Sequence, residues 1–326
     1  MTDTAIEAKG LVKTYPKGVR ALDGITFDVD AGTVFGLVGP NGAGKSTTVK
    51  ILTTLSHPDQ GQATVAGIDV LRHPDRVRRA IGCVSQKSGV DAQATGRENL
   101  ILQGRLNGMR GRELERRVDA MLERFGLSDA ARRVTRTYSG GMQRKLDVAL
   151  GLIHRPTVLF LDEPTTGLDP EARADMWTEI ERLADEEGLT ILLTTHYLEE
   201  ADRLARRVAI VDQGRIVAAG TPDELKSELH GDAVHLELDV AETNGRVAAA
   251  LAHVGDVRDV TIENGRLLHA RADNGARAVP VMLQALEAQG VPVVSVTVAR
   301  PSLDDVYLKY TGRRFEEADT AAEVAR

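Results

Sequence analysis

The sequence predicts an α/β fold with a mostly parallel sheet, followed by a smaller α+β domain. Residues 33–38, 158–161 and 190–194 are short apolar runs with the composition of buried strands. Residues 171–187, which lie between the last two runs, have the periodicity of an amphipathic helix. Because apolar strands alternate with helices, the core is expected to be a parallel sheet covered by helices.

Composition and charge limit the class of protein. A chain of 326 residues suggests about two domains, and 42% hydrophobic with 27% charged residues is ordinary for a globular protein. The net charge of -7 argues against a sequence-independent nucleic-acid binder. The single cysteine, Cys83, lies in an apolar run, so we predict a buried thiol and no disulfide within the chain. No run approaches 18 apolar residues, so no segment is expected to span a bilayer.

The elements of the first domain follow from local patterns. Residues 6–29 alternate apolar and polar side chains, which predicts antiparallel strands around a turn at 16–18. Between about 96 and 154 the pattern becomes helical, and we expect its charged faces, including Arg116 and Arg117, to be exposed. Further short strands are predicted at 63–66, 81–85, 208–211 and 215–218.

The region after about residue 230 has its own order of elements. Its strands and helices are predicted in the order β-α-β-β-α-β, which is typical of a ferredoxin-like domain. A last helix is expected to begin with Ser302 as N-cap and Asp305 three residues later. We therefore predict a main domain at 1–228 with a helical subdomain at about 90–155, an accessory α+β domain at 229–312 and a flexible tail at 313–326.

Residues 39–46, GPNGAGKS, match the phosphate-binding pattern G-x-x-x-x-G-K-[ST] without a mismatch. A strand precedes this loop and a helix follows it, so backbone N–H groups and the helix dipole favour an anion there. Lys45 can reach the β- and γ-phosphates, and Ser46 can bind Mg²⁺. A glycine-rich turn without a ligand is the alternative, which the flanking strand and helix disfavour. The predicted nucleotide-binding residues of the loop are Gly39, Pro40, Asn41, Gly42, Ala43, Gly44, Lys45, Ser46 and Thr47.

Four polar residues at strand ends are the candidates for catalysis. Asp162 ends the strand at 158–161 and can hold Mg²⁺, while Glu163 beside it can act as general base for water. His196 follows the strand at 190–195 and can contact the γ-phosphate. Gln86, at the end of the strand at 81–85, can contact Mg²⁺ or water. Each could instead be an ordinary polar strand end, but their combination with the phosphate-binding loop favours a catalytic role.

A second helix N-terminus is also suited to an anion. Ser139 is a good N-cap, and Gly140 and Gly141 allow a phosphate to approach the backbone closely. Because the helical insert separates this segment from the phosphate-binding loop, the two cannot easily bind one γ-phosphate within one chain. A second copy of the chain could supply the missing half of the site.

Taken in order along residues 5–228, these motifs resemble those of ABC-transporter ATP-binding subunits. The sequence departs from the family signature at Tyr138, where Leu is usual, and at Met142, where Gln is usual and Gln143 comes one position later. Such variants are similar to the ABC-2 branch, which includes export subunits. The resemblance implies that Tyr15 stacks on adenine and that Asp169 lies at a dimer seam, and that the segment from Ser139 to Gln143 caps the ATP held by a partner.

The end of the chain, including PSLDDVY at 301–307, resembles the extra domain of daunorubicin-resistance-type ATPases. Whether this domain helps dimerisation or regulates activity stays open. The family resemblance implies a P-loop NTPase cassette that uses ATP and Mg²⁺, with two chains closing head to tail on ATP binding. It also implies a peripheral location at the cytoplasmic face of the cell membrane, contact with an integral membrane permease, and export of a drug or lipophilic compound.

Two other functions compete with this interpretation. A soluble ABC ATPase that acts on ribosomes or DNA typically has two cassettes or a long coiled coil, whereas this chain has one motif set, no sustained heptads and a negative net charge. A nucleotide-binding module without enzymatic activity is disfavoured because Lys45, Asp162, Glu163 and His196 are all present. No nucleic-acid partner is expected.

Overall fold

The computed structural model of the chain describes residues 4–229, 231–239, 245–251 and 254–315. The chain forms two compact units, which divide after residue 222 and again after residue 309, with the C-terminal residues returning to the first unit. The boundary predicted after residue 228 lies near the first division and stays a prediction.

The first unit contains two sheets. An antiparallel sheet has the strand order β2-β1-β4-β5, and a second sheet has the order β10-β9-β3-β8-β7-β6, in which all neighbours except β9 and β10 are parallel. The stacked rings of Phe27 and Phe35, with centroids 5.1 Å apart, join the two sheets in one apolar core. The strands are β1 Thr4–Thr14, β2 Arg20–Asp30, β3 Val34–Val38, β4 Gln60–Val65, β5 Ile68–Asp69, β6 Ile81–Val84, β7 Val158–Asp162, β8 Thr190–Thr195, β9 Arg207–Asp212 and β10 Arg215–Gly220.

Helices pack around the parallel sheet, and three of them form the predicted helical insert. Thr95 and Glu98 form a reciprocal capping box at the start of the first helix of the insert. The helices are α1 Lys45–Leu52, α2 Pro74–Ala80, α3 Gly96–Leu106, α4 Gly111–Arg124, α5 Gly140–Leu152, α6 Pro170–Asp185, α7 Leu198–Leu204 and α8 Pro222–Ser227. The insert therefore consists of α3, α4 and α5.

Two predictions about single side chains were wrong. Cys83 is exposed rather than buried, because its strand β6 lies at the edge of the sheet. Surrounding protein atoms, together with the charge of Asp162, nevertheless raise the pKa of its thiol to about 11. Arg117 is not fully solvated, since its guanidinium donates to the carbonyl oxygens of Leu152 and Ile153 at 2.7 and 3.1 Å. A long cationic side chain on a charged helix face thus donates hydrogen bonds to the carbonyl oxygens at the C-terminal end of a neighbouring helix.

The second unit is an antiparallel sheet covered on one face by helices. Its strand order is β12-β13-β11-β14, and its apolar face packs against α9 and α10. The elements are β11 Asp232–Leu238, α9 Arg246–Leu251, β12 Val257–Glu263, β13 Leu267–Ala272, α10 Gly275–Ala288, β14 Val293–Ala299 and α11 Leu303–Thr311. This is the predicted β-α-β-β-α-β order, while the ferredoxin-like classification stays a prediction.

Both ends of the last helix are well defined. As predicted, Ser302 caps it, because the Ser302 hydroxyl accepts the backbone N–H of Asp305 at 3.2 Å and the Asp305 carboxylate accepts that of Ser302 at 2.8 Å. Beyond the helix, Arg313 donates to both carboxylate oxygens of Asp212 at 2.9 and 3.1 Å. The first residues of the predicted flexible tail thus pack on the first unit. The rest of that tail, 316–326, lies outside the described residues.

Candidate nucleotide-binding and catalytic site

The order of the parallel strands places the predicted catalytic residues at one edge of the sheet. Strand β3 lies between β9 and β8, and β7 follows β8. In register, Val38 is opposite Thr195, and Thr194 is opposite Asp162, so the carboxyl ends of three strands lie side by side. Ligand-binding groups of open parallel sheets gather at such an edge. The phosphate-binding loop follows the end of β3, Glu163 follows the end of β7, and His196 follows the end of β8.

Close backbone packing gives the phosphate-binding loop its shape. A Cβ added to Gly39 would lie 2.2 Å from the carbonyl oxygen of Val211, and Gly44 has a φ of +112° that other residues rarely adopt. Lys45 opens α1, and only 4% of it is exposed. Its ammonium group donates to the carbonyl oxygens of Gly39 and, at 3.1 Å, Pro40. The cation is therefore held over the loop where phosphate oxygens would replace the carbonyls.

Oxygen atoms suited to a hard cation converge beside this loop. The Ser46 hydroxyl donates to the Asp162 carboxylate at 3.2 Å, and the Thr194 hydroxyl donates to the same oxygen at 2.5 Å. Mg²⁺ prefers carboxylate, hydroxyl and phosphate oxygens. Ser46 and Asp162 therefore fit the predicted metal, whereas Thr194, which holds the carboxylate in place, was not identified from the sequence.

Glu163 is a buried carboxylate surrounded by four donors or cations. It is 6% exposed, and its Oε1 lies 3.7 Å from the Lys45 ammonium. Its Oε2 accepts from the Gln86 amide at 3.0 Å and lies 3.3 Å from Nδ1 of His196, an ion-pair distance without hydrogen-bond alignment. Burial alone would raise the pKa of Glu163, but His196, Lys45 and the Thr166 hydroxyl together lower it. An ionised carboxylate at this position can accept a proton from water.

The backbone at Glu163 is itself unusual. Its φ of +50° lies in the left-handed region, which costs a non-glycine residue free energy. The Glu163 N–H is held by the carbonyl and hydroxyl oxygens of Thr194 at 3.1 and 3.2 Å. This conformation points the carboxylate toward Lys45 and Gln86 rather than along the strand. Gln86 donates to this general-base candidate, while its contact with Mg²⁺ or water stays a prediction.

The N-terminus of α5 is exposed and packs beside the N-terminus of α6. The Ser139 hydroxyl accepts the N–H of Met142 at 3.2 Å, which confirms the predicted cap, and both Ser139 and Gly140 are exposed. A Cβ added to Gly141 would lie 3.0 Å from the Cβ of Ala172. Asp169, whose carboxylate accepts the N–H of Ala172 at 2.9 Å, caps α6 at this contact. The two segments assigned to a dimer seam are therefore neighbours within one chain.

Tyr15 lies directly after β1, in the connection to β2. Its ring is partly exposed, and the ammonium group of Lys13 lies 5.8 Å from the ring centroid. A partly exposed ring can offer a face for stacking. Stacking on adenine stays a prediction.

Arg144, which sequence reasoning missed, connects α5 to the catalytic loop. It is 7% exposed, and its guanidinium donates to the carbonyl oxygens of Pro164 and Ser85, each at 2.7 Å. It also donates to those of Asp162 and Glu163, at 3.2 and 3.1 Å. Its position five residues after Ser139, on the same helix, was the available signal, but the sequence does not show which backbone carbonyl oxygens a side chain will bind.

A cationic phosphate loop and a buried Glu163 at one sheet edge, together with an exposed glycine helix start elsewhere in the chain, define an ATPase of the ABC class. Residues 22–166 match the family described as "ABC transporter", and residues 220–311 match the one described as "ATP-binding protein DrrA1-3-like, C-terminal domain". The chain belongs to the ABC transporter family, as the motifs had indicated, and it is an ATPase.

Relatives and solved structures agree with this assignment. The chain is 46% identical to "Daunorubicin resistance ATP-binding protein DrrA3" of Streptomyces coeruleorubidus over 98% of this chain and 100% of that protein. It is 43% identical to "Daunorubicin/doxorubicin resistance ATP-binding protein DrrA" of Streptomyces peucetius over 97% and 95%. Among solved structures, the dimeric post-hydrolysis state of the cassette MJ0796 bound to ADP and Pi matches with a TM-score of 0.61 and 25% identity, over 66% of this chain and 98% of that one. Among the described residues, no helix is long and apolar enough to cross a membrane.

Proposed function

We propose that this chain hydrolyses ATP to drive a separate membrane permease that exports a drug or another lipophilic compound. The observation that carries the proposal is the buried Glu163 carboxylate, held between Lys45, Gln86 and His196 at the edge of the sheet. Relatives named for daunorubicin resistance, linearmycin resistance and Nod factor export support export as the direction. Contact with the permease would place the chain at the cytoplasmic face of the membrane.

The chemistry assigned to this chain's own residues is positioning and proton transfer. Lys45 and the loop N–H groups bind the phosphates, and Ser46 and Asp162 would hold Mg²⁺, which supplies charge neutralisation for the leaving phosphates. Water attacks the γ-phosphorus, Glu163 accepts its proton, and the bond to the ADP oxygen breaks. His196 orients the water and the γ-phosphate.

The site is completed by a second copy of the chain. Exposed Ser139 and Gly140 at the start of α5 are suited to a phosphate, and the partner's phosphate-binding loop would bring one there. The dimeric cassette structures among the matches support this arrangement. ATP binding would close the pair, and hydrolysis would reopen it, which moves the permease between its two states.

Glu163→Gln tests the assignment of the general base. We expect turnover to fall by about 10²-fold or more while ATP affinity changes little, because the amide cannot accept the proton. Glu181→Gln is the matched control, since Glu181 is a half-buried residue of α6 in an ion pair with Arg203, away from the residues assigned to catalysis. Phosphate release measured on both variants, with ATP binding measured separately, decides the point. Near-normal hydrolysis by Glu163→Gln would remove Glu163 from this role.

Ser139→Ala tests the contribution of the second copy. Loss of the cap costs about 1 kcal/mol of stability, so Thr95→Ala, which removes the cap of α3 in the same subdomain, is the matched control. We expect only the Ser139 variant to lose turnover and to lose the ATP-dependent dimer that light scattering detects in the Glu163→Gln background. If both cap variants behave alike, Ser139 has no contact with a partner's nucleotide. Drug efflux from vesicles containing the permease then tests the export function.

A further inference from the structure

The turn between β9 and β10 packs against the phosphate-binding loop. The N–H of Gly214 donates to the carbonyl oxygen of Ala43 at 2.9 Å. The carbonyl oxygen of Val211 lies so close to Gly39 that a Cβ added there would be 2.2 Å away. A Cβ added to Gly44 would lie 3.6 Å from the Cα of Gly214. The shape of the phosphate-binding loop therefore depends on where this turn lies.

The turn has a backbone conformation that its sequence does not favour. Asp212 pairs with Arg215 across it, which leaves Gln213 and Gly214 as the two central residues. Both have a positive φ, +46° at Gln213 and +77° at Gly214, as in the type I′ turns of two-residue hairpins. Asparagine, aspartate and glycine are the usual first residues of such turns, and a long side chain there costs free energy. The turn therefore depends on contacts from outside the hairpin.

Arg313, in the last described segment of the chain, supplies such a contact. Its guanidinium donates to both carboxylate oxygens of Asp212, at 2.9 and 3.1 Å. The Asp212 side chain is 13% exposed and that of Arg313 is 35% exposed, so water screens the pair only in part. The backbone N–H and carbonyl oxygen of Arg313 are both bonded to the Thr311 hydroxyl, at 3.4 and 3.0 Å. Because a bidentate pair fixes orientation as well as distance, Arg313 holds the first residue of the turn in place.

We propose that Arg313 is a positioning residue for nucleotide binding, which acts by holding Asp212 and thereby the turn that shapes the phosphate-binding loop. Its effect passes through the backbone of the turn and not through contact with the phosphates. The proposal rests on the assignment of residues 39–46 to the phosphates, which Lys45→Ala tests separately. It gives the segment after α11, which the sequence assigned to a flexible tail, a part in the affinity for nucleotide.

A purely structural ion pair differs from a positioning pair in what its loss changes. Loss of a structural pair lowers the free energy of unfolding and leaves the affinity of the folded protein for nucleotide unchanged. Loss of this pair should raise the dissociation constant of ADP and the KM for ATP, because the turn contacts the phosphate-binding loop. The kcat at saturating ATP should be retained, since Glu163 and His196 follow β7 and β8 and not β9.

Arg313→Gln in the full-length chain tests the proposal. We expect the dissociation constant of ADP, measured by calorimetric titration, and the KM for ATP to rise about fivefold or more, with kcat within about twofold of the wild type. Arg207→Gln is the matched control, since Arg207 lies at the other end of β9 and forms an ion pair with Asp28 at 3.2 Å. Unchanged affinity of Arg313→Gln for ADP, or an equal loss in Arg207→Gln, overturns the proposal.

A double-mutant cycle shows whether Arg313 acts through Asp212. Asp212→Asn keeps the size of the side chain and removes its charge, so it weakens the pair with little change in packing. We expect Asp212→Asn to weaken ADP binding as Arg313→Gln does, and the double variant to bind no more weakly than the weaker single variant, because both changes break one contact. Losses that multiply in full contradict the proposal. If Lys45→Ala leaves ADP affinity unchanged, the assignment of the phosphate-binding loop fails instead.

Discussion

Removing the guanidinium of Arg144 should separate ATP binding from ATP hydrolysis. The side chain fixes the carbonyl oxygens of Asp162, Glu163 and Pro164, so it holds the backbone on both sides of the candidate base. It also fixes the carbonyl of Ser85, the residue before the glutamine that contacts Glu163. The phosphate-binding loop makes none of these contacts, so its affinity for ATP should persist.

The size of the effect follows from the number of hydrogen bonds. Arg144→Ala leaves four inward-facing carbonyl oxygens without this donor, and a typical intramolecular hydrogen bond contributes about 1 kcal/mol net, so we expect a loss of roughly 4 kcal/mol. Arg144→Lys keeps the charge but concentrates its donors on one nitrogen, so it cannot span the four oxygens. We expect that variant to fold, with turnover reduced at least tenfold and ATP affinity changed less than about threefold.

Arg117 offers a matched control on the same helix pair. Its guanidinium also donates to backbone carbonyl oxygens, those of Leu152 and Ile153, but at the opposite end of α5. Urea denaturation gives the free energy of unfolding of Arg144→Lys and Arg117→Lys, and steady-state kinetics with a separate binding titration gives kcat and the dissociation constant of ATP. We expect both variants to lose stability and only Arg144→Lys to lose kcat.

The positioning argument is refuted if Arg144→Lys keeps kcat within twofold of the wild type. It is also refuted if Arg117→Lys loses kcat to the same extent, because the loss would then follow stability rather than the catalytic loop. An equal weakening of ATP binding and turnover would move the role of Arg144 from the base to the phosphate-binding loop.

Three further predictions follow from the same site. Gly39→Ala should destabilise the chain by about 1–3 kcal/mol and weaken ATP binding, since its Cβ would lie 2.2 Å from the Val211 carbonyl oxygen; thermal melting that matches the wild type would contradict the packing argument. Lys45→Ala should weaken ATP binding itself at least tenfold in a fluorescence titration, and unchanged affinity would exclude the phosphate contact. Burial raises the pKa of Glu200 above its ordinary 4.5, although Thr165 donates a hydrogen bond to its carboxylate. The contribution of Glu200 to stability is therefore full below pH 4.5 and is lost as the pH rises through the folded-state pKa. In urea titrations, the free energy of unfolding of Glu200→Gln should therefore rise relative to that of the wild type between pH 4.5 and 8, and a constant difference between the two proteins would show that Glu200 stays ionised.

Much of the site could be predicted because its chemistry is carried by side chains next to strand ends. Lys45, Asp162, Glu163 and His196 are each preceded by an apolar run, and parallel strands bring their carboxyl ends to one edge. The same reasoning failed for Cys83, since an apolar run does not reveal whether its strand is central or at an edge.

The sequence by itself determined the phosphate-binding loop, the capped helix starts and the alternation that makes a parallel sheet, because each depends on residues close together in the chain. The tertiary structure alone decided the strand order that sets Lys45 beside Glu163, the left-handed backbone at Glu163, and the carbonyl partners of Arg144. These features depend on backbone groups from distant segments, and every residue type presents the same carbonyl oxygen, so nothing in the sequence distinguishes the ones that are used.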